Sequence, residues 1–430
     1  MRLTLDYDRQ GLDVEIPDAN LHGVLTMRPV APLPDVASAL RQALRQPLGT
    51  RPLQELVPGR RTACVVVSDI TRPIPYRLLL PPLLEQLEQA GLKRGDILIL
   101  VATGLHRRST RAELLEMFGE AVVANWRIED HVARDPGSHR FLGHTRRGTP
   151  VWVDARYLDA DLKIITGLVA PHLMAGYSGG RKAICPGLCA VETVRVWHGL
   201  EFVGPESAGV GLLEGNPAHE EAVEIAGLAG GDLALSVVTD VRRQVAGLFA
   251  GSLEASFRAA VARFNEFGIA EIAAPADIVV TSCGGYPLDR TYYQGIKGFA
   301  GARPAVRPGG TILLAAGMRE GLGSDEFARL VLEYPDLRKF EARVAEPGFF
   351  VIDQWQLLQM AKVARHAELM LYTDGLPASL LARLPVRAVD SVEDGIRLAL
   401  ARHGQDASIL VMPQGPYVLP RVANLGTMAR

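Results

Sequence analysis

Cysteine is scarce in this 430-residue chain, which holds only Cys64, Cys185, Cys189 and Cys283. Four scattered thiols in so long a chain exclude a disulfide framework and fit reduced cysteines. Cys185 and Cys189 are spaced to clamp a soft metal, but no further ligands follow at metal-site spacing, so packing is their expected role. No apolar run is long enough for a transmembrane helix. The N-terminus is acidic early and lacks the apolar core of a signal peptide, so the expected location is cytoplasmic. Excess charge is missing as well: 46 basic against 48 acidic side chains leave a net charge of −2. That balance argues against nucleic acid or an anionic membrane surface as a partner. Lysine is the last shortage, with only Lys93, Lys163, Lys182, Lys297, Lys339 and Lys362 among the 46 basic residues. A desolvated amine can lose its proton and act as a nucleophile, which a guanidinium cannot. A lysine kept in a glycine-lined loop is therefore worth notice.

What is present is ordinary globular material, 48% hydrophobic and 22% charged, in a length that suits two or three domains. After a proline-rich stretch with one helix near 35–46, capped by Asp35, the pattern becomes strand, loop, helix. Strands are expected at 62–68, 96–102 and 162–166. After a helix near 253–267 a second alternating block follows. Its expected strands lie at 278–282, 311–316, 368–373 and 408–412, with helices starting at Tyr292 and spanning 324–334 and 354–365. The pattern predicts an α/β fold of two domains, each a largely parallel sheet with flanking helices, divided as 1–272 and 273–430. Ligands of such sheets sit beyond the carboxyl ends of the strands, so loops that follow strands should converge on one site.

Four such loops carry chemistry. Ser68-Asp-Ile-Thr-Arg-Pro73 follows the first strand, and by itself reads as a turn in which Asp69 caps backbone and Arg72 pairs with a surface acid. Ala102-Thr-Gly-Leu-His-Arg107 offers backbone N–H groups at Thr103 and Gly104 for a phosphate, with His106 at the same rim. The stretch from Gly167 to Gly187 has five glycines, His172 and Lys182, with His198 in Val-Trp-His-Gly just beyond. It contains a formal Gly-x-Ser-x-Gly match around Ser178, yet no strand runs straight into the first glycine, as a nucleophile elbow requires. It is not a phosphate-binding Walker loop either, since Ala follows Lys182. The fourth stretch, Cys283 to Lys297, places Gln294 and Lys297 on one helix face.

Taken together, SDITRP, ATGLHR, APHLMAGYSGGRKAICPG, VWHG, GGYPLDRTYYQGIKG and the Trp355 helix resemble the nickel-pincer lactate racemase family. The resemblance runs in the same order from about residue 40 to PQGPYVLP near the C-terminus. It implies an enzyme that interconverts the two hands of a small, lactate-like 2-hydroxy acid by removing and returning hydride. Its cofactor would be a nickel-pincer nucleotide, a pyridinium mononucleotide whose two sulfur arms and ring carbon grip Ni(II). By the same resemblance Lys182 is the lysine joined to the cofactor as a thioamide, and His198 is the protein ligand to nickel. His106 and His172 are the two bases that serve the substrate hydroxyl, one for each hand. Arg72 and Lys297, with Gln294, anchor the substrate carboxylate or cofactor phosphate. Asp69, Ile70 and Thr71 line the cofactor, and Tyr293 and Trp355 wall the substrate pocket. The expected partners are the hydroxy acid and the enzymes that make the cofactor.

Three rival readings stand beside this one. A nicotinamide-type dehydrogenase lacks its Gly-x-Gly-x-x-Gly after the first strand. A serine hydrolase would use Ser178. A non-catalytic carrier of the nucleotide or of nickel would have no use for two proton acceptors.

Overall fold

The apolar runs between the glycine-rich loops become the central strands of two sheets. A computed structural model describes residues 1–346 and 348–423. The first sheet runs in the order Val245–Gly251, Leu233–Thr239, Leu162–Leu168, Ala63–Ser68, Ile97–Ala102, Arg127–Asp130. All its neighbours are parallel except the hairpin at the Val245 edge. Ala63–Ser68 and Ile97–Ala102 are buried up to their last residue, as strands covered on both faces must be. On one face, Leu40 and Leu44 of the Val36–Arg45 helix and Leu79, Leu83 and Leu87 of Tyr76–Gln89 pack on Val65, Val67, Ile97 and Ile99. Asp35 caps the first of these helices by accepting from the Ser38 N–H at 2.9 Å, as its position predicts.

The second sheet has the order Arg387–Ala388, Glu368–Tyr372, Val306–Ala315, Ala276–Ser282, Ile409–Met412, Leu21–Val24, parallel throughout. The fold is thus α/β with two largely parallel sheets. One part of the expected division needs correction. A cut at residue 272 assigns the N-terminal segment to the first unit, but Leu21–Val24 pairs with Ile409–Met412 and completes the second sheet. The preceding hairpin, Arg2–Leu5 with Leu12–Glu15, sends Leu5 and Val14, with Ile16 just beyond it, into a core shared with Ile278, Val280, Leu313 and Val411. The Leu233–Gly251 hairpin, to which the sequence pattern assigns no strand, closes the other edge of the first sheet.

The C-terminal strand ends of both sheets face the same cleft. Arg290 of the second unit reaches Glu113 of the first at 3.0 Å, and Arg134 meets Glu326 at 2.7 Å, so charged pairs bridge the rim.

The shared N-terminal core is testable. Ile16 is 1% exposed. Ile16→Ala should cost about 2–5 kcal/mol of unfolding free energy, the usual range for a buried large-to-small change. Urea denaturation would measure it, and an unchanged midpoint would detach the hairpin from the second unit's core.

Candidate active site

The first strand delivers Asp69 into the cleft. Its Oδ1 accepts from the Thr71 N–H at 3.2 Å and the Thr71 hydroxyl at 2.6 Å, a tight local turn. Its Oδ2 lies 2.5 Å from His106 Nδ1, on the loop after the next strand. Burial alone would raise the Asp69 pKa, but the His106 imidazole, the Thr71 hydroxyl and Arg72 outweigh it and hold the carboxyl at about 2. A carboxylate on Nδ1 fixes that atom as the donor and turns Nε2 outward. Asp69 therefore does more than the capping its sequence context suggests. Arg72 departs from expectation too: among the described residues, no carboxylate lies within 4 Å of its guanidinium, and it faces the cavity.

The long glycine loop folds into a short hairpin, Pro171–His172 with Gly176–Tyr177, followed by a turn at Gly180–Ala183. Gly179 must be glycine, since its φ is +77° and a Cβ there would meet the Leu168 carbonyl oxygen at 3.0 Å. Arg181 is buried and clamps the loop, donating to the Ala175 carbonyl at 2.5 Å and stacking on Phe257. Next to it Lys182 points the other way, with Nζ 4.9 Å from the centre of the Trp197 ring. His172 Nδ1 accepts from the backbone N–H groups of Met174 and Ala175 at 3.3 and 3.2 Å, so its neutral ring carries the proton on Nε2. Ser178 is buried, donates to the Leu168 carbonyl at 2.7 Å, and accepts from the Ala170 N–H. That hydroxyl is a strut of the loop, which removes the serine-hydrolase reading.

His198 ends the Val191–Trp197 helix, with Nδ1 3.0 Å from the Val194 carbonyl oxygen. Its ring stacks on Trp355 at 4.0 Å between centroids and meets the edge of Trp197 at 4.5 Å. From the second unit, the Tyr292–Ala302 helix contributes Tyr293, Gln294 and Lys297, and Lys297 donates to the Gln294 side chain. Trp355 donates from Nε1 to the Tyr293 hydroxyl at 3.0 Å.

One cavity of about 950 Å³, part of it open to solvent, is lined by Asp69, Thr71, Arg72, His106, His172, Lys182, His198, Tyr293, Lys297 and Trp355. Ile70 and Gln294 face an adjoining lobe that shares the His106 and Tyr293 wall. Asp353 and Gln356, absent from the sequence expectations, also line the cavity. Neither stands in a glycine-rich loop, and Asp353 reads in sequence as a plain helix cap. Cys185 and Cys189 are buried thiols, and Cys189 donates to the Ile184 carbonyl.

Three cations share the cavity. Burial, then Arg72 and Arg181, push the Lys182 amine well below the ordinary lysine value. Burial and Arg72 do the same to Lys297. Burial with Lys182, Arg72 and Lys297 keeps His172 neutral to well below its usual pKa. Fixed imidazoles beside charge-crowded amines, at the strand ends of an α/β cleft, define an enzyme site for small anionic molecules.

The chain's relatives agree with that class. Models of the lactate racemase N-terminal and C-terminal domains match residues 7–211 and 272–419. The lactate racemase of Thermoanaerobacterium thermosaccharolyticum is 30% identical over 423 residues, covering 97% of this chain and 99% of that one. That of Lactiplantibacillus plantarum is 31% identical over 421 residues, with the same coverage of each. The solved apoprotein structure of the Thermoanaerobacterium enzyme superposes with a TM-score of 0.90 at 30% identity, over 98% of this chain and 100% of that one. A protein structure from Thermotoga maritima, at 17% identity, shares the fold with a TM-score of 0.71 over 90% of this chain and 98% of that one. The chain belongs to the lactate racemase family.

The depressed carboxyls set an acid limit on stability. Asp69 and Asp154 are lowered from 3.8, and Glu113 from 4.5, each to about 2. Because the unfolded chain binds these protons first, their stabilisation is complete above about pH 4.5 and is lost as pH falls toward 2. Urea unfolding at stepped pH should show the decline in that window, and Asp69→Asn should make it shallower.

Proposed function

We propose that the protein racemises a small, lactate-like 2-hydroxy acid, using a nickel-pincer nucleotide attached at Lys182. The observation that carries this reading is one cavity that joins Lys182, His198, His106 and His172. The residues suit the group. The Lys182 amine, which burial pushes toward its neutral form, has no hydrogen-bond or ion-pair partner among the described residues, which leaves its nitrogen available for a covalent bond. The Val194 carbonyl fixes His198 Nδ1 as a donor, so Nε2 is the atom left for a metal. Among the described residues no group of three or more His, Cys, Asp or Glu side chains could hold a metal, so nickel would draw its other donors from the nucleotide. When bound, the nucleotide supplies the acceptor for the α-hydrogen as hydride, which no side chain offers.

The chain's own residues do the rest. Arg72 and Lys297 hold the substrate carboxylate or the cofactor phosphate, with Gln294 turned toward Lys297. Asp69, Ile70 and Thr71 line the cofactor side, and Tyr293 and Trp355 wall the substrate. His106 receives the hydroxyl proton of one enantiomer at Nε2, and Asp69 stabilises the imidazolium that results. His172 serves the other hand at Nε2, which can take the hydroxyl proton once the ring carries its own proton on Nδ1 and releases the Met174 and Ala175 N–H groups. Two proton-handling groups also favour an enzyme over a carrier.

Two measurements test the reading. When the chain is produced together with cofactor-making enzymes, the intact mass of denatured protein should show an adduct that Lys182→Ala abolishes. His198→Ala should keep the adduct and lose nickel. An unmodified wild-type mass after verified cofactor supply would overturn the attachment.

In heavy water the α-hydrogen of the product should remain mostly protium, since a transferred hydride does not pass through solvent. His106→Ala and His172→Ala should each slow both directions by about 10²–10⁴-fold, the usual yield of a general base. Extensive solvent deuterium at the α-carbon would replace hydride transfer with ordinary proton exchange.

A further inference from the structure

Of the six lysines, Lys362 is one that the site does not use, although it is only 6% exposed. A lysine is seldom buried without an acid to pair with it. Among the described residues no carboxylate lies within 4 Å of its nitrogen, and Glu206, which lines the same cleft, pairs with Arg303 at 2.8 Å instead. Lys362 Nζ donates to two backbone carbonyls of the other unit, that of Val203 at 3.2 Å and that of Pro205 at 3.0 Å. Gln359 Nε2 donates to the same Val203 carbonyl at 3.2 Å.

The receiving segment needs outside support. Leu200–Val203 is a single helical turn, too short to be stable by itself. Its last carbonyls have no following turn to supply N–H groups, and Pro205 brings none of its own. Lysine suits such carbonyls, because the end of a helix where they lie is its negative pole. This turn begins two residues after His198. On the donor side, Trp355, Gln359 and Lys362 stand at i, i+4 and i+7, one stripe about 10 Å long on the Gln354–Ala364 helix. The stripe therefore meets the first unit at both ends of one short segment. Trp355 lies on His198 with an interplanar angle of 19°, while Gln359 and Lys362 hold Val203 and Pro205.

We propose that Lys362 and Gln359 are positioning residues, which seat the Gln354–Ala364 helix on residues 198–205 and so fix where the Trp355 ring stands over His198. The proposal rests on His198 being the metal ligand for its bearing on catalysis, but not for its test. A helix tied to this segment at one point can pivot on it, whereas one tied at two points cannot. Without the two donors the Val203 carbonyl, on a residue with no exposed surface, has no partner. The turn then opens at its C-terminal end to admit water. The stacked rings are left as the helix's polar-free tie to this segment, and the indole shifts with the helix that carries it.

The test uses the apoprotein. Lys362→Met keeps the buried stem and removes its donors, and Gln359→Leu does the same for the amide. With both changes, hydrogen exchange read by mass spectrometry should rise about tenfold in peptides spanning residues 199–208, the mark of local opening. Peptides of Leu162–Leu168 and Ala276–Ser282 should keep their wild-type protection. Trp355 is 3% exposed, and its fluorescence is isolated by subtracting the matching protein that carries Trp355→Phe. Its acrylamide quenching should rise several-fold in the double variant. Lys362→Arg, which can still donate to both carbonyls, should stay near wild type in both measurements. Should the double variant lose protection in the sheets as well, each single change decides alone, with smaller rises at the same two places. In cofactor-loaded protein Lys362→Met should release nickel several-fold faster, and Lys362→Arg should not. Wild-type exchange at 199–208 would overturn the proposal, and so would faster exchange there with an unmoved Trp355 signal. Because both signals are read without cofactor, a failure here is distinct from a failure of the nickel assignment.

Discussion

The site depends on the burial and mutual repulsion of Arg72, Lys182 and Lys297, which share one cavity in which the Asp69 carboxylate is bound to His106. Like charges brought out of water destabilise one another and favour the neutral form of any group that can shed a proton. Burial first, and then neighbours such as Arg72, push both amines and His172 toward their neutral forms. The fold therefore spends packing on a cationic pocket, and anions are the molecules that relieve it. A phosphate and a carboxylate are the anionic parts of the proposed cofactor and substrate.

Rigid backbone keeps those charges in place. Arg181 ties the glycine loop to the Ala175 carbonyl, Ser178 ties it to Leu168, and Gly104 donates its N–H to the Gly187 carbonyl at 3.0 Å. The two imidazoles are held by different means. His106 leans on a side-chain carboxylate, whereas His172 leans on two backbone amides of its own turn. Their outward nitrogens are thus oriented by different partners.

Much of this was legible in the sequence for a definite reason. Parallel strands buried on both faces must be continuous apolar runs, so Ala63–Ser68, Ile97–Ala102 and Ala276–Ser282 could be marked without coordinates. Loops after such strands had to meet, which predicted that His106, His172 and Lys182 would share a cavity. The rest was hidden by context. Nothing local in Leu21–Val24 says that its partner lies at Ile409–Met412, because pairing between distant strands leaves no periodic mark. Ser178 imitated a nucleophile motif because glycines serve a tight loop and an elbow alike. Asp353 went unmarked, since nothing local in sequence tells where a carboxylate before a helix will turn.

The pairing of Leu21–Val24 with Ile409–Met412 also bears on how the chain is made. Its N-terminal strand is synthesised first, but its neighbour in the sheet appears nearly 400 residues later. The first sheet draws all its strands from Ala63 to Gly251, so it can assemble while the rest is still being translated. Until then the Arg2–Val24 segment has no sheet to join, and its Leu5, Val14 and Ile16 stay uncovered. The second unit can close only after Ile409–Met412 has been made, and with it the half of the cleft that carries Tyr293, Lys297 and Trp355. A chain that stops before Ile409–Met412 leaves that half of the cleft without its closing strand.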